Sequence, residues 1–338
     1  MEFGIGMFGD LQYDRKSSTY QKPGSRLNEI IEEVKLADQV GIDTFAIGEH
    51  HRPDYAVPSP ETILAALATV THKIKLSSGV NVISSTDPVK LYQEFAMIDL
   101  ISNHRAEIMA GRGSFIESFP LFGYQLSDYN ELFEEKLNLL VLLNQQGVIN
   151  WKGKFRAEIK NQTIYPQLEN PLPLWIAVGG TPSSVLRAAK YGIPIMFAII
   201  GGMPKNFIPL VEYYKSEYLK HGHDPKEMQI GVHAHTYIGE SKENVLENYF
   251  ETYATSMNRI GKERGWAPYT PQQFLGGMHE EGALVMGSPE DVSKKINSFK
   301  EMFGLTRFVA HIDVGGPTHK ELIKTIELFG KKVIPAIS

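Results

Sequence analysis

Four short stretches of this sequence carry side chains suited to chemistry. Glu49-His50-His51 sets two imidazoles beside a carboxylate, and a histidine there can act as general base, general acid or hydrogen-bond donor near neutral pH. Arg112 stands between Gly111 and Gly113, on permissive backbone from which a guanidinium can grip a phosphate through two donors. Gly179-Gly180-Thr181-Pro182-Ser183-Ser184 reads as a tight turn into a helix, with proline at the first helical position, where its missing N–H is no loss. His233-Ala234-His235 turns two imidazoles to one face of a strand. Each has a plainer reading too: loop histidines capping a strand end, a salt bridge across the mouth of the fold, Thr181 as a mere helix cap, and histidines hydrogen-bonded in a core.

Two of these stretches belong together chemically. At 179–184 the glycines allow close backbone approach. The N–H groups of Ser183 and Ser184 and the hydroxyls of Thr181 and Ser184 would face an anion at the positive end of the following helix. With Arg112, this suggests a cofactor bearing one terminal phosphate, such as FMN. Ser78-Gly79-Val80-Asn81 adds small residues against which a flat ligand could lie.

What must position these groups is an alternation of short apolar runs and amphipathic segments along the whole chain. Strands are predicted at residues 3–8, 44–48, 75–83, 106–110, 174–178, 194–200, 229–238 and 307–313. Helices are predicted at about 27–40, 60–70, 88–101, 130–144, 182–192, 205–220, 289–303 and 318–329. Ser59-Pro60, Asp87-Pro88 and Ser288-Pro289 supply start signals, and Gly41 and Gly192 supply stops. Eight strand-then-helix units imply an α/β fold with a parallel sheet that closes as a (β/α)8 TIM barrel. No composition break divides residues 1–338, so a single domain is expected. The 338 residues exceed the roughly 250 of a bare barrel, and the surplus falls in two insertions, after the fourth and seventh strands. Residues 148–173 read as a small β excursion. Residues 241–287 hold one polar helix and then a Gly-, Pro- and Met-rich stretch, either a surface excursion or a lid over the barrel end where active sites sit.

Composition removes several classes of function. A net charge of −5 offers no basic footprint for nucleic acid and no polybasic membrane anchor. The absence of cysteine excludes disulfides, thiolate metal sites and cysteine nucleophiles, and suits a reducing cytoplasm. Met1-Glu2-Phe3-Gly4 has neither the basic start nor the apolar run of a signal peptide, and no run of about 18 apolar residues suggests a membrane span. Gly4-Ile5-Gly6-Met7-Phe8-Gly9 matches G-x-G-x-x-G. It lies inside the first strand, however, and no apolar helical stripe follows, so its glycines read as sites of close packing rather than a dinucleotide loop. His233 and His235 could ligate zinc with help from Glu49, His50, His51 or Asp54, but no bridging carboxylate or lysine accompanies them.

Taken in order, Glu49-His50-His51, Thr86-Asp87-Pro88-Val89, Ile98-Asp99-Leu100-Ile101-Ser102, Arg105, Gly111-Arg112-Gly113 and the 179–184 turn followed by Ala188-Ala189 and Gly192-Ile193-Pro194 resemble the signature blocks of the luciferase-like flavin-dependent monooxygenases. The resemblance is clear over about residues 1–200 and looser beyond. It implies a role for His50 as the catalytic histidine beside the flavin. It places Gly79-Val80 where the family often has a cis peptide under the ring system. It assigns the FMN phosphate to Arg112, with Gly179, Gly180, Thr181 and Ser184 around it. It further implies reduced FMN supplied by a separate flavin reductase, O2 and a small organic substrate as reactants, and a homodimer. Two positions depart from the luciferase catalytic subunit: Gly180 replaces an acidic residue and Gly111 a reactive cysteine, which argues for plain oxidation over light emission. Phe115, Phe119, Phe122 and Tyr124 could wall an apolar substrate pocket or pack beneath the barrel mouth. The alternatives are the deazaflavin F420 in place of FMN, a flavin-binding protein without catalysis, and a metal-dependent barrel hydrolase built on His233 and His235.

Overall fold

The computed structural model describes residues 1–113 and 115–337; Ser114, which sequence places beside Arg112, lies outside the described residues. Among them, eight parallel strands close into a barrel: β1 (Glu2–Met7), β2 (Thr44–Ile47), β3 (Lys75–Ser78), β4 (Ala106–Gly111), β5 (Leu174–Val178), β6 (Ile195–Ala198), β7 (Ile230–Ile238) and β8 (Arg307–His311). Each strand pairs with the next, and Gly4 of β1 pairs with both Thr44 of β2 and Val309 of β8, which closes the ring. The strands are apolar on both faces because one face packs into the barrel and the other against helices.

Around the barrel lie α1 (Pro23–Gln39), α2 (Pro60–Ala68), α3 (Pro88–Ser102), α4 (Tyr129–Asn144), α5 (Pro182–Tyr191) and α6 (Ile208–Lys220). The main core, with Ile30, Val34, Phe45, Leu64, Leu91, Phe133, Ile176 and Phe308 among its members, is formed where strands meet helices. The start signals work unequally. The Asp87 side chain accepts from the N–H groups of Val89 and Lys90, as an N-cap should. The Ser59 hydroxyl instead binds Glu61 and Thr62 side chains and caps no backbone group.

A small apolar layer of Ala46, Met109, Trp175, Met196 and Val309 fills the barrel interior. The strand starts below it are plugged by charge. Arg307 donates to Glu107 (2.7 and 3.0 Å) and to Glu2, with its guanidinium 4.3 Å from the Trp175 ring centroid. A charge this buried is tolerable only because its donors are taken. The glycine pattern in β1 is explained by packing: a Cβ on Gly6 would lie 2.6 Å from His233 Nε2.

Residues 148–163 form the expected β excursion, an antiparallel hairpin of Val148–Trp151 and Ile159–Thr163. The segment after β7 is more ordered than its composition suggests. It opens with α7 (Lys242–Arg264), continues with α8 (Pro271–Met278), and returns through Val285–Gly287, which pairs with the end of β7. The sequence reading expected one polar helix in this segment and only a Gly-, Pro- and Met-rich stretch after it, where the structure forms the second helix, α8. Its start is fixed by a capping box in which Thr270 and Gln273 satisfy each other's backbone N–H groups. These helices have their own core, built on Tyr237, Tyr249, Tyr253, Phe274 and Met278, with Tyr237 and Tyr249 stacked at 4.1 Å. The chain then finishes with α9 (Pro289–Phe303), β8 and α10 (His319–Leu328). Among the described residues no helix is long and apolar enough to cross a membrane.

Candidate active site

The ends of β1 to β8 converge on one face of the barrel, and the chemistry-bearing stretches sit there. At the end of β2 the three residues of Glu49-His50-His51 separate into different tasks. Glu49 ties strand ends together: its N–H donates to Val80 O (3.1 Å) and its Oε2 accepts from Val82 N–H (2.8 Å). Its Oε1 lies 2.8 Å from His51 Nε2, and His51 turns towards Phe122. His50 goes inward. Its backbone N–H donates to Val57 O (3.0 Å), and its ring is held by Phe8 (4.4 Å), Tyr55 (4.4 Å) and Phe115 (5.3 Å). His50 Nε2 is buried with no hydrogen-bond partner among the described residues. Burial, helped by the nearby His311, pulls its pKa down to about 3, so the ring is neutral at physiological pH.

Beyond β3 the Gly79–Val80 peptide is cis. Beyond β4, Arg112 donates to Asn130 Oδ1 (2.9 Å) and to Thr181 Oγ1 (3.1 Å), and its guanidinium lies 5.2 Å from the Tyr129 ring centroid. Tyr129 OH in turn donates to Arg112 O (3.2 Å), which fixes the loop to the start of α4. Arg112 makes no ion pair among the described residues, although the chain forms many elsewhere. Its cationic head is oriented entirely by neutral acceptors.

The turn after β5 meets this arginine. Thr181 Oγ1 lies 2.9 Å from Ser184 Oγ, and the Thr181 side chain makes no cap bond to α5, so its hydroxyl belongs to the arginine cluster rather than to the helix. Gly180 has φ +123°, a conformation that excludes most side chains, and a Cβ at Gly179 or Gly180 would meet nothing within 4 Å. One detail differs from the sequence reading. The Ser184 N–H is not free, because it donates to Thr181 O (3.1 Å). The donors presented here are therefore chiefly the hydroxyls and the guanidinium.

An inner cavity of about 190 Å³ is lined by His50, Gly79, Val80, Arg112, Gly179 and Ser184, with Thr181 joined to it through Arg112 and Ser184, and Gly180 in the turn between. Sequence reasoning missed Phe8, Met109, Tyr129 and Met196 in its wall, and it singled out His233 only as a possible metal ligand. Phe8 was within reach, since it stands at the C-terminal end of the first strand, where barrel enzymes place working residues. A second cavity, of about 810 Å³, opens at the barrel mouth on the other side of Phe8, which lines both. Residues of the 241–287 segment form much of its wall, including Met257, Trp266, Tyr269 and Leu284. Phe115 lines it as well; Phe119 is buried and packs against Tyr129, and Phe122 and Tyr124 line neither cavity.

His233 and His235 do not form a metal site with the Glu49 to Asp54 group. His233 Nε2 lies 2.9 Å from His311 Nδ1, and His235 Nδ1 lies 2.9 Å from Tyr253 OH. Burial holds both rings well below the ordinary histidine pKa. Among the described residues, the groups with metal-ligand proximity are Asp10, His311, Asp313 and, separately, Glu29, Glu33, His319, and neither includes His233 or His235.

The closed parallel barrel, with Arg112, the 179–184 turn and a buried neutral histidine at its C-terminal face, can be compared with known proteins. The sequence profile of the luciferase-like monooxygenases matches residues 1–306, and the chain belongs to that family. It is 25% identical, over 92% of its length and 90% of the relative's, to the oxygenase component of a flavin-dependent trigonelline monooxygenase from Acinetobacter baylyi. Its fold matches a monooxygenase from Streptomyces bottropensis (TM-score 0.84, 21% identity, 99% of both chains). It also matches the oxygenating constituent of 3,6-diketocamphane monooxygenase from Pseudomonas putida, solved with FMN (TM-score 0.80, 20% identity, 100% and 99% of the chains). A coenzyme F420-dependent tetrahydromethanopterin reductase from Methanopyrus kandleri shares the fold at TM-score 0.72 (18% identity, 100% and 99%), so this architecture serves flavins and deazaflavins alike. The chain is thus an enzyme of the luciferase-like, flavin-dependent oxygenase kind.

Proposed function

We propose that this chain is the oxygenase component of a two-component monooxygenase that uses reduced FMN and O2 on a small organic substrate. The observation that carries the proposal is Arg112: a guanidinium without a carboxylate partner, aimed by Asn130 and Thr181, beside the Ser184 hydroxyl and the open Gly179-Gly180 turn. Those donors fit one phosphate group. The inner cavity is smaller than the usual 300–1,000 Å³ or so of a whole ligand site. It therefore suits the flavin ring system between Val80, Met109 and His50, with the phosphate tail on the rim at Arg112.

Reduced flavin, when bound, supplies the electrons and the activation of O2. The residues of this chain bind, orient and keep water away. Arg112, Thr181 and Ser184 fix the tail. His50, neutral and with Nε2 free, offers one hydrogen bond to a reacting group; with its pKa so low it orients rather than stores a proton. Phe8, Tyr55 and Phe115 surround the ring and exclude water. The substrate belongs in the mouth cavity, across Phe8 from the cofactor, with the 241–287 helices as its cover.

The name of the trigonelline relative as an oxygenase component supports a separate reductase partner. A row of exposed apolar residues on α3, Met97, Leu100 and Ile101, supports a homodimer, which light scattering on the purified chain would test. The decisive experiment titrates the protein with FMN, reduced FMN and F420, and then follows reduced-flavin oxidation by O2 in wild type and His50→Ala. Tight binding of reduced FMN and slowed chemistry in the variant are expected. Preference for F420, or zinc without flavin affinity, would replace this reading.

A further inference from the structure

The mouth cavity is walled largely by carbon, from Tyr55, Phe115, Met257, Ile260, Trp266 and Leu284. Four buried polar residues interrupt that wall, Asp10, His235, Ser256 and His311; His235 is bonded to Tyr253 and Ser256 to Arg259, which leaves two. Asp10 and His311 both line the cavity, at 3% and 1% exposure, and each keeps one polar atom without a hydrogen-bond partner among the described residues, Asp10 Oδ2 and His311 Nε2. A buried polar atom left unpaired is unfavourable, and two together in an apolar cavity mark the place where a ligand supplies the missing partner.

The remaining atoms of both residues are already committed. Asp10 Oδ1 accepts from Gly315 N–H (2.7 Å), and His311 Nδ1 faces His233 Nε2 (2.9 Å). Asp313, next to them, accepts from the N–H groups of Phe8 (3.0 Å), Gly9 (2.8 Å) and Asp10 (3.2 Å), with the Arg26 guanidinium 3.7 Å away. It therefore carries the negative charge of the pair. His311 Nε2 sits 3.2 Å from Asp313 Oδ1, so it already has an ionic neighbour, and Asp10 Oδ2 is the barer of the two atoms. Burial first, then the Asp313 charge and the more distant Asp54, push the Asp10 carboxyl well above its ordinary range. Gly315 N–H and Arg259, itself paired with Asp54 (2.7 Å), oppose the shift without cancelling it. Burial and the neighbouring Asp313 charge thus favour the protonated form of Asp10, in which its free Oδ2 can donate a hydrogen bond to an uncharged oxygen. A metal ion is the rival occupant, since Asp10, His311 and Asp313 each place one candidate atom within 4.8 Å of the others. Asp313 argues against it, because its oxygens are taken by three N–H groups.

We propose, resting on the assignment of the mouth cavity to the substrate, that the substrate is an apolar molecule with one neutral oxygen function, a hydroxyl or carbonyl, and that Asp10 and His311 seat that oxygen. An anionic head would meet the charge of Asp313; a pure hydrocarbon would leave both polar atoms unpaired.

The test uses 2-naphthol, naphthalene and 2-naphthoate as probes, with binding to the full chain measured by fluorescence and calorimetry. Wild type should bind 2-naphthol roughly tenfold more tightly than either of the others, the scale of one to two neutral hydrogen bonds. Asp10→Asn, which keeps a donor, should retain the preference, and Asp10→Ala should lose it. Equal binding of the three probes, an unchanged preference in Asp10→Ala, or a metal that co-purifies with wild type and is lost in Asp10→Asn overturns the proposal. Should Asp10→Ala fail to fold, infrared difference spectra of wild type decide. The carboxylic-acid band should shift with 2-naphthol and not with naphthalene, and an absent or unmoved band is contrary. FMN titration of the same samples keeps the two claims apart. Normal FMN affinity without a naphthol preference refutes only the substrate assignment, and a naphthol preference without FMN affinity refutes the cofactor reading.

Discussion

The two cavities that meet at Phe8 are built from opposite materials. The inner one is made by strand ends, and its polar groups are aimed by neutral partners: Asn130 and Thr181 hold Arg112, and Thr181 meets Ser184. The outer one, four times larger, is walled by loops and by the helices of residues 241–287, and two of its buried polar residues, Asp10 and His311, each keep one atom without a hydrogen-bond partner among the described residues. On the proposed function, the difference is a division of labour. Strand ends, fixed by the pairing of the sheet, would hold the cofactor, and the added helices, which bring their own core, would shape the substrate space without disturbing that hold.

Variants that affect one cavity and spare the other sharpen this contrast. The largest effect is expected for His50→Ala. Turnover should fall by about 10²–10⁴-fold, the range for losing a positioned proton-handling or hydrogen-bonding group, while FMN binding changes little. A loss of FMN affinity equal to the loss of turnover would make His50 a binding residue only. Next is acid sensitivity. His50, His233 and His235 are buried with pKa values below the 6.5 of a free imidazole, so the unfolded chain takes up protons that the folded chain refuses. Their contribution to stability is complete above pH 6.5 and is lost as pH falls below it, down to about 3 for His50, at up to roughly 1.4 kcal/mol per pH unit for each ring. Asp10, with its raised pKa, acts in the opposite sense: its contribution is complete below 3.8 and declines as pH rises through the raised value. Three rings against one carboxyl predict a melting temperature that drops as pH falls below 6.5, and a flat profile would contradict the burial of the histidines.

Arg112→Ala should weaken FMN by about 1.5–3 kcal/mol, as for a hydrogen bond to a charged group, and leave naphthol binding in the mouth unchanged. Met257→Trp should do the reverse: overfilling the mouth should raise the substrate KM by an amount equivalent to about 1–3 kcal/mol, with FMN affinity intact. Thr181→Ala gives the smallest effect, a loss of about 0.5–1.5 kcal/mol in FMN binding without lowered thermal stability, because the Thr181 hydroxyl caps no helix. A drop in stability would mean that it does.

The contrast between the cavities is also a contrast in what sequence can convey. Strand ends follow from periodicity, so residues such as His50 and Arg112, and the turn at 179–184, could be placed on one barrel face from local pattern alone. Even there, partners from another element stayed hidden: Asn130 and Tyr129 reach Arg112 only because α4 begins beneath it. The mouth was largely illegible. Asp10 and His311 lie 301 positions apart and meet only because β8 pairs with β1, and nothing local marks either. The helix Pro271–Met278 was masked by its glycines, although Thr270 and Gln273 carried the capping signal. The Ser184 N–H, read as free, is taken by its own turn, a detail set by backbone geometry that residue types do not reveal.

The central claim is that one cofactor lies in the inner cavity with its phosphate held between β4 and β5. A crystal structure of the chain soaked with FMN tests this directly. The account predicts phosphate density within hydrogen-bonding distance of Arg112, Thr181 and Ser184, with the ring system against Val80 and beside His50, leaving the mouth cavity open. Density for the ring in the mouth cavity, or a phosphate bound away from Arg112, would contradict it.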